Sequence, residues 1–389
     1  MPVAEFATPP FDLAVSRPRI VGILSTFPPT PCGLATFTAA LARGLCGHGA
    51  EVRVVRVSDG STCDSPVVVG DLENGDPRSV IAAAELLNEC DVAIIHHEYG
   101  LYGGEDGDEV VELLAALRVP SIVIAHTVPC KPTPHQRSVL HAVAALADRV
   151  VVMAQAAGER ACADFAIEPA KVAVIPHGAM IPSSRDPVSG LRRPLLLTWG
   201  LVGPGKGIER VIDAMVQLQG LPGRPWYLVA GRTHPKVAAS QGESYREARI
   251  EQAERNGVAA SVMFDPTYRD VATLTALIQS AAVVVLPYDS RDQATSGVLV
   301  DAVAAGVPVV ATAFPHAVEL LGSGAGIVVE HDDPDALVRA LRNVLTDPAL
   351  ANRLTGEAKR IAPSLGWPVV AKEYLRLADG LVCEKAAFV

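Results

Sequence analysis

In a chain of 389 residues, the stretch "QATSGVLVDAVAAGVPVVAT" sets an amide, Gln293, and a carboxylate, Asp301, eight positions apart in front of a solid apolar run. If a helix begins near Ser296 or Gly297, its first N–H groups have no partner inside the helix, and Asp301 lies a little over one turn in. Such N–H groups suit a phosphate, and a carboxylate suits paired hydroxyls. An amide just before the helix and an acid just inside it would therefore grip one ligand from two sides. The plainer alternative has Asp301 on an exposed helix face and Gln293 in a loop.

Three other places carry chemistry. "WGLVGPGKG", Trp199 to Gly207, lies between a strand pattern and a helix pattern, with Gly200, Gly203 and Gly205 ahead of Lys206. A lysine at the positive end of a helix gains nothing from the dipole, so it points to a bound anion, with a solvated surface lysine as the alternative. Ser or Thr would have to replace Gly207 for a Walker A loop. "STFPPTPCGLATF" places Gly33 where a strand turns into a helix, which lets backbone approach an anion or merely shapes the turn. Its spacing is not G-x-G-x-x-G, against a dehydrogenase. Histidines gather at the ends of apolar runs: His96 and His97 with Glu98 in "IIHHEYG", His126, His177, His234 beside Arg232 in "GRTHP", and His316. Each alone reads as a structural histidine as readily as a catalyst, and no pair has the H-E-x-x-H spacing of a metal site. No metal is expected.

The elements that must position these residues alternate along the whole chain. "RIVGILST", "EVRVVRV", "DVAIIHHEY", "PSIVIAHT", "RVVVMA" and "KVAVIPHG" are continuous apolar runs, with helical stretches such as "ATFTAALARGL" and "QRSVLHAVAALA" between them. Strands buried on both faces predict a mostly parallel, doubly wound sheet. The pattern breaks at "MIPSSRDPVSGLRRP", 180–194, a linker by composition. It resumes as "LLLTWG", helix "GIERVIDAMVQL", "WYLVAG", helix "SYREARIEQAERNG", "SVMF", helix "VATLTALIQSA" and "VVVLPY". Two Rossmann-like domains are expected, 1–185 and 190–367, with a ligand in the cleft at their strand ends. The tail, 368–389, reads as a helix interrupted near Trp367-Pro368 that crosses back to the first domain.

Composition narrows the partners. A net charge of −10 and a pI near 5.5 argue against nucleic acid. Seven cysteines without C-x-x-C spacing argue against disulfides and zinc, and fit a reducing cytoplasm. The first 20 residues lack the apolar core of a secretory signal, and no run approaches a membrane span, so no integral membrane contact is expected.

The order "PCGLATF", "AHTVP", "IPHGA", "WGLVGPGKGIERVIDAM", "QATSGVLVDAVAAGVPVVAT" resembles the retaining, nucleotide-sugar-dependent glycosyltransferases of family four, from about residue 19 to 377. "HHEYGLYGGEDG" and "FPHAVELL" look like a bacterial subgroup. The resemblance implies the GT-B fold, an α/β architecture of two doubly wound parallel sheets facing a cleft, with the donor held by the second domain. It implies transfer of a hexosyl group from a nucleoside diphosphate sugar, UDP or GDP, to a hydroxyl of a sugar, small-molecule or lipid-linked acceptor. Neither metal nor cofactor is called for, and a homodimer is left open.

By the same resemblance Gly33 and Gly205 lie along the donor, Lys206 binds its diphosphate, and Ser296, Gly297 and Val298 offer N–H groups to the phosphates. Asp301 would take the ribose hydroxyls, Gln293 the donor sugar, and His126 the vicinity of the transferred group. The loop holding Tyr268 would carry the base. His97, Glu98, His177, Arg232 and His234 complete the candidates. The sequence departs from the family at four places: Leu201 stands where an arginine is usual, and Gln293 and Asp301 where two glutamates are. His177 replaces a frequent asparagine. Two readings stand beside transfer, a GT-B-fold nucleotide-sugar epimerase and a non-catalytic nucleotide-sugar-binding protein.

Overall fold

β-Branched runs form strands because their stiff side chains pack well on a pleated surface, and here they feed two sheets. A computed structural model describes residues 18–182 and 193–386. Most of the break expected at 180–194, the domain limits at 185 and 190, and residues 1–17 and 387–389 lie outside the described residues. The first domain runs β1 (Ile20–Ser25), α1 (Gly33–Gly47), β2 (Glu51–Val57), β3 (Val68–Leu72), α2 (Pro77–Asn88), β4 (Val92–His97), α3 (Glu109–Ala116), β5 (Ser121–Ala125), α4 (Pro134–Leu146), β6 (Arg149–Val152), α5 (Gln155–Phe165), β7 (Val172–Val174). The second begins β8 (Leu195–Trp199), α6 (Ile208–Leu218), β9 (Trp226–Ala230), α7 (Pro235–Gln241), α8 (Ser244–Arg255), β10 (Val262–Asp265), α9 (Val271–Ser280) and β11 (Val283–Leu286). It continues through α10 (Gly297–Ala304), β12 (Val309–Thr312), α11 (Pro315–Leu321), β13 (Gly326–Val329), α12 (Pro334–Thr346), α13 (Pro348–Leu365) and α14 (Trp367–Ala386).

The sheet orders are β3-β2-β1-β4-β5-β6-β7 and β10-β9-β8-β11-β12-β13, and every strand pair is parallel. In each, the order reverses beside the first strand, between β1 and β4 and between β8 and β11. Loops leaving those strands splay apart there and open a crevice, which is where this architecture puts ligands.

Two edge strands are absent from the sequence reading, and so in the second domain are helices α7, α11, α12 and α13. β3 alternates between exposed and half-buried residues and slips register against β2 at Val54/Val55, so no continuous apolar run announces it. What secures it is Arg56 of β2, wholly buried, whose guanidinium forks onto Asp71 of β3 at 2.9 and 3.0 Å. β13 is short, starts at Gly326 and is mostly half-buried. α7 precedes the one helix expected between β9 and β10, capped by the His234 ring accepting from Lys236 N at 3.2 Å.

α13 ends at Leu365, and the chain crosses over at Ala179, whose N–H donates to Leu365 O (2.8 Å) and whose carbonyl accepts from Trp367 N (3.2 Å). α14 then lies on the first domain: Val370, Ala371, Tyr374, Ala378 and Leu381 share a buried cluster with Val21, Phe37, Leu41 and Leu45. Ion pairs Arg19–Asp379 (2.9 Å) and Arg149–Glu384 (3.1 Å) flank it. Close packing requires Gly44 of α1, where a Cβ would fall 2.7 Å from the Ala371 Cβ. Gly44→Val is therefore expected to push α14 off the domain at a cost of about 1–3 kcal/mol, read as a lowered midpoint in denaturant unfolding.

Candidate functional site

The crevice of the second domain is built on glycines. Gly207, the left-handed N-cap of α6 (φ 64°), has its missing Cβ only 1.7 Å from the Pro287 carbonyl oxygen, so no other residue fits. That contact ties the loop after β8 to the loop after β11, as does Asp289 N donating to Gly205 O at 2.9 Å. Around Gly205 a Cβ would meet nothing within 4 Å, which leaves the backbone approachable. Lys206 extends over the ring of Tyr288, Nζ 4.3 Å from its centroid, and Tyr288 is stacked on Phe314. Burial lowers the lysine's pKa, and no carboxylate among the described residues pairs with it. An aromatic face holds the cation without neutralising it, so its charge stays available to an anion.

α10 supplies the second half of this pocket. Ser296 is its N-cap, the hydroxyl accepting from Leu299 N (3.3 Å), while Ser296 N donates to His316 Nδ1 (2.8 Å). Two of the early N–H groups are thereby used. Those of Gly297 and Val298 have no acceptor among the described residues and lie at the positive end of the helix. Gln293 folds its amide onto the Thr295 carbonyl (3.1 Å). Asp301 is half-buried with no side-chain hydrogen bond among the described residues, and burial pushes its pKa up to about 7.

Facing α10 is an assembly of imidazoles from the first domain. Phe37 presents its ring to His96, His126, His177 and Trp367 at 4.8–5.3 Å, all near-perpendicular. His126, just beyond β5, has Nε2 3.0 Å from His96 Nδ1, so one is donor and the other acceptor. Burial first, and then the neighbouring His96, His177 and His97, holds His126 well below the usual histidine range. Burial takes His96 to about 3, and His97, His177 and His316 to about 4. All are neutral at pH 7, able to hydrogen-bond a hydroxyl but not to pair with a phosphate charge. His177 reaches the other domain, its Nε2 2.8 Å from where a Cβ on Gly297 would stand.

The remaining candidates divide. Glu98, raised by burial against a 2.6 Å hydrogen bond from Thr127, feels the charge of Lys236 from α7, whose Nζ approaches Gly100. His97 turns to Tyr99, and neither ring nitrogen has a partner among the described residues. Gly33 opens α1, exposed and with free space at its Cβ position. Arg232 lies 5.5 Å over the exposed Tyr268 ring, a platform of two exposed groups. His234 serves as a helix cap. Among the described residues, no hydrogen bond joins Gly33, Arg232 or Tyr268 to the Lys206, α10 and imidazole groups. Tyr288, Lys236 and Phe37 were not legible as site residues; only the position of Tyr288 at the end of "VVVLPY" hinted at it. The one grouping among the described residues close enough to share a metal ion is Glu105 and Asp106, in the segment between β4 and α3, with His135 in the first turn of α4. It includes none of the residues above.

The Asp301 shift sets a test. A carboxylate whose pKa rises from 3.8 to about 7 on folding holds its proton more tightly folded than unfolded, so its contribution to stability declines as pH rises from about 4 to 7. The parent chain should lose melting temperature between pH 5 and 8 relative to Asp301→Asn, and parallel curves would show the carboxylate to be solvated.

A family model described as "Glycosyl transferases group 1" matches residues 183–361, and one described as "Glycosyltransferase Family 4" matches residues 31–179. A D-inositol 3-phosphate glycosyltransferase of Streptomyces avermitilis is 28% identical over 242 residues, 59% of this chain and 51% of the relative. A glycogen synthase of Mycobacterium tuberculosis is 30% identical over 212 residues, 52% of this chain and 47% of the relative. The chain thus spans about half the length of these curated relatives. Among solved structures, a sucrose-phosphate synthase from Thermosynechococcus elongatus superposes with TM-score 0.73 at 18% identity, covering 94% of this chain and all (100%) of that one. Anabaena HepE in complex with UDP and glucose does so with TM-score 0.72 at 17% identity, covering 93% and 100%. At such identities the structures speak for the fold.

Proposed function

We propose that this chain, which belongs to the family-four glycosyltransferases of the GT-B fold, moves a hexosyl group from a nucleoside diphosphate sugar to an acceptor hydroxyl, retaining the anomeric configuration and using no metal. The observation that carries this reading is the convergence of Lys206, the unpaired N–H groups of Gly297 and Val298, and Asp301 on one crevice. Cation and N–H groups suit a diphosphate, and the acid three residues beyond Val298 suits a ribose diol. A solved relative in fold, HepE, is described in complex with UDP-glucose, which favours UDP as the donor nucleotide.

In transfer, the bond from the anomeric carbon to the β-phosphate oxygen breaks and one to the acceptor oxygen forms. The acceptor's proton ends on the departing phosphate, on the same face. Charge grows on that phosphate as the bond breaks, and Lys206, fixed over Tyr288, meets it without reorganising. Gln293 would contact the sugar through an amide that both donates and accepts, in place of the family's acid. His126, neutral and tethered to His96, would accept from or donate to a sugar hydroxyl without adding charge. The acceptor we take to be a hydroxyl of a sugar, a small molecule or a lipid-linked sugar, met on the first domain's side of the cleft.

Lys206→Ala is expected to lower kcat by about 10²–10³, the loss typical for one charge-stabilising donor, with the unfolding midpoint little altered. Unchanged turnover removes Lys206 from the chemistry. UDP or GDP should raise the melting temperature through binding to the native state, and a shift with neither overturns the donor reading. A mass-spectrometric panel of donor sugars with simple acceptors then identifies the pair, and epimerised donor with no acceptor product would select the epimerase instead.

A further inference from the structure

Helix α5 starts without a cap of its own, because its N-cap is Ala154, whose side chain accepts nothing. The cap comes from the second domain: Gln155 N donates to Glu319 Oε1 (3.0 Å) and Ala156 N to Glu319 Oε2 (3.3 Å). A carboxylate at a helix's positive end satisfies both its orphan donors and its dipole. Further along α5, Arg160 Nη1 donates to Val128 O within its own domain and to Asp292 O in the other, both at 2.9 Å. Asp292 immediately precedes Gln293.

α11, which carries Glu319, grips the same segment from its far end. His316 N donates to Gln293 O (3.4 Å), and His316 Nδ1 accepts from Ser296 N (2.8 Å). His316 is buried and neutral, so Nδ1 keeps its lone pair for that bond. The five residues from Asp292 to Ser296 are thus bonded at one end by α5 and at the other by α11, while α11 and α5 are bonded to each other across the cleft.

We propose that α5 and α11 form a latch between the domains in which Glu319 and Arg160 are positioning residues, holding Asp292–Ser296 so that Gln293 and the first turn of α10 meet the donor in register. Its functional half rests on the donor reading above; its structural half does not. Neither residue touches the reacting atoms. They act through the loop, so their loss lowers turnover more than nucleotide affinity.

Hydrogen–deuterium exchange on the full chain without ligand, followed by mass spectrometry, tests the latch directly in Glu319→Ala, Glu319→Gln and Arg160→Lys. Glu319→Ala should speed exchange about fivefold, the effect of a lost cap, both at Gln155–Ala156 and at Asp292–Leu299. Glu319→Gln, the same size with one acceptor oxygen kept, should recover part of the protection and guards against a variant that fails to fold. With the donor found in the panel, kcat should fall about tenfold in Glu319→Ala while the Kd of UDP changes little. Faster exchange confined to α5 makes Glu319 a simple cap and overturns the proposal, as does coupled exchange with kcat unaltered. If the parent chain turns over no donor, the donor reading fails and the exchange result alone still decides whether the latch exists.

Discussion

A helix cannot bond its own first N–H groups, and the arrangement at this cleft depends on how that deficit is met. At α10 it is met only in part: Ser296 serves Leu299 N and His316 serves Ser296 N, leaving Gly297 and Val298 for something else. At α5 the deficit is met from the opposite domain by Glu319. One unfilled end marks the proposed donor pocket, and one filled end joins the domains. Both lie at the carboxyl edge of a parallel sheet, where successive strands return through helices and the helix starts must gather.

Electrostatics divides the cleft into two characters. The second domain offers a lysine and N–H groups that have no partner among the described residues. The first offers imidazoles that burial keeps uncharged, packed edgewise on Phe37. A ligand crossing from one to the other passes from a surface that stabilises negative charge to one that recognises hydroxyls. Such a division suits a molecule with a diphosphate at one end and a sugar at the other.

The sequence made the architecture readable because buried parallel strands leave uninterrupted apolar runs, and β1, β2 and β4 through β12 stand within or close to such runs. β3 escaped, since its stability comes from the Arg56–Asp71 fork rather than from apolarity. The start of α10 was legible because a serine cap before an apolar pattern has a local signature. The interruption at Trp367-Pro368 was legible because proline belongs in a first helical turn. Contacts such as His316 to Ser296, His177 to Gly297 and Glu319 to α5 join residues 20 to 164 positions apart, and nothing in the local spelling announces them. His316 stood out only as a histidine near a strand end, and Glu319 as one more acid on a helix.

The return of α14 to the first domain has a consequence for biosynthesis. The cluster of Val21, Phe37, Leu41 and Leu45 is completed by Val370, Ala371 and Tyr374, over 300 residues later. A ribosome delivers those closing residues long after the strand and helix they cover, so that apolar face waits uncovered while the second domain is being made. Domains made in this order do not finish one after the other; the first is finished by the end of the second, and a nascent chain halted before residue 370 offers chaperones an open core.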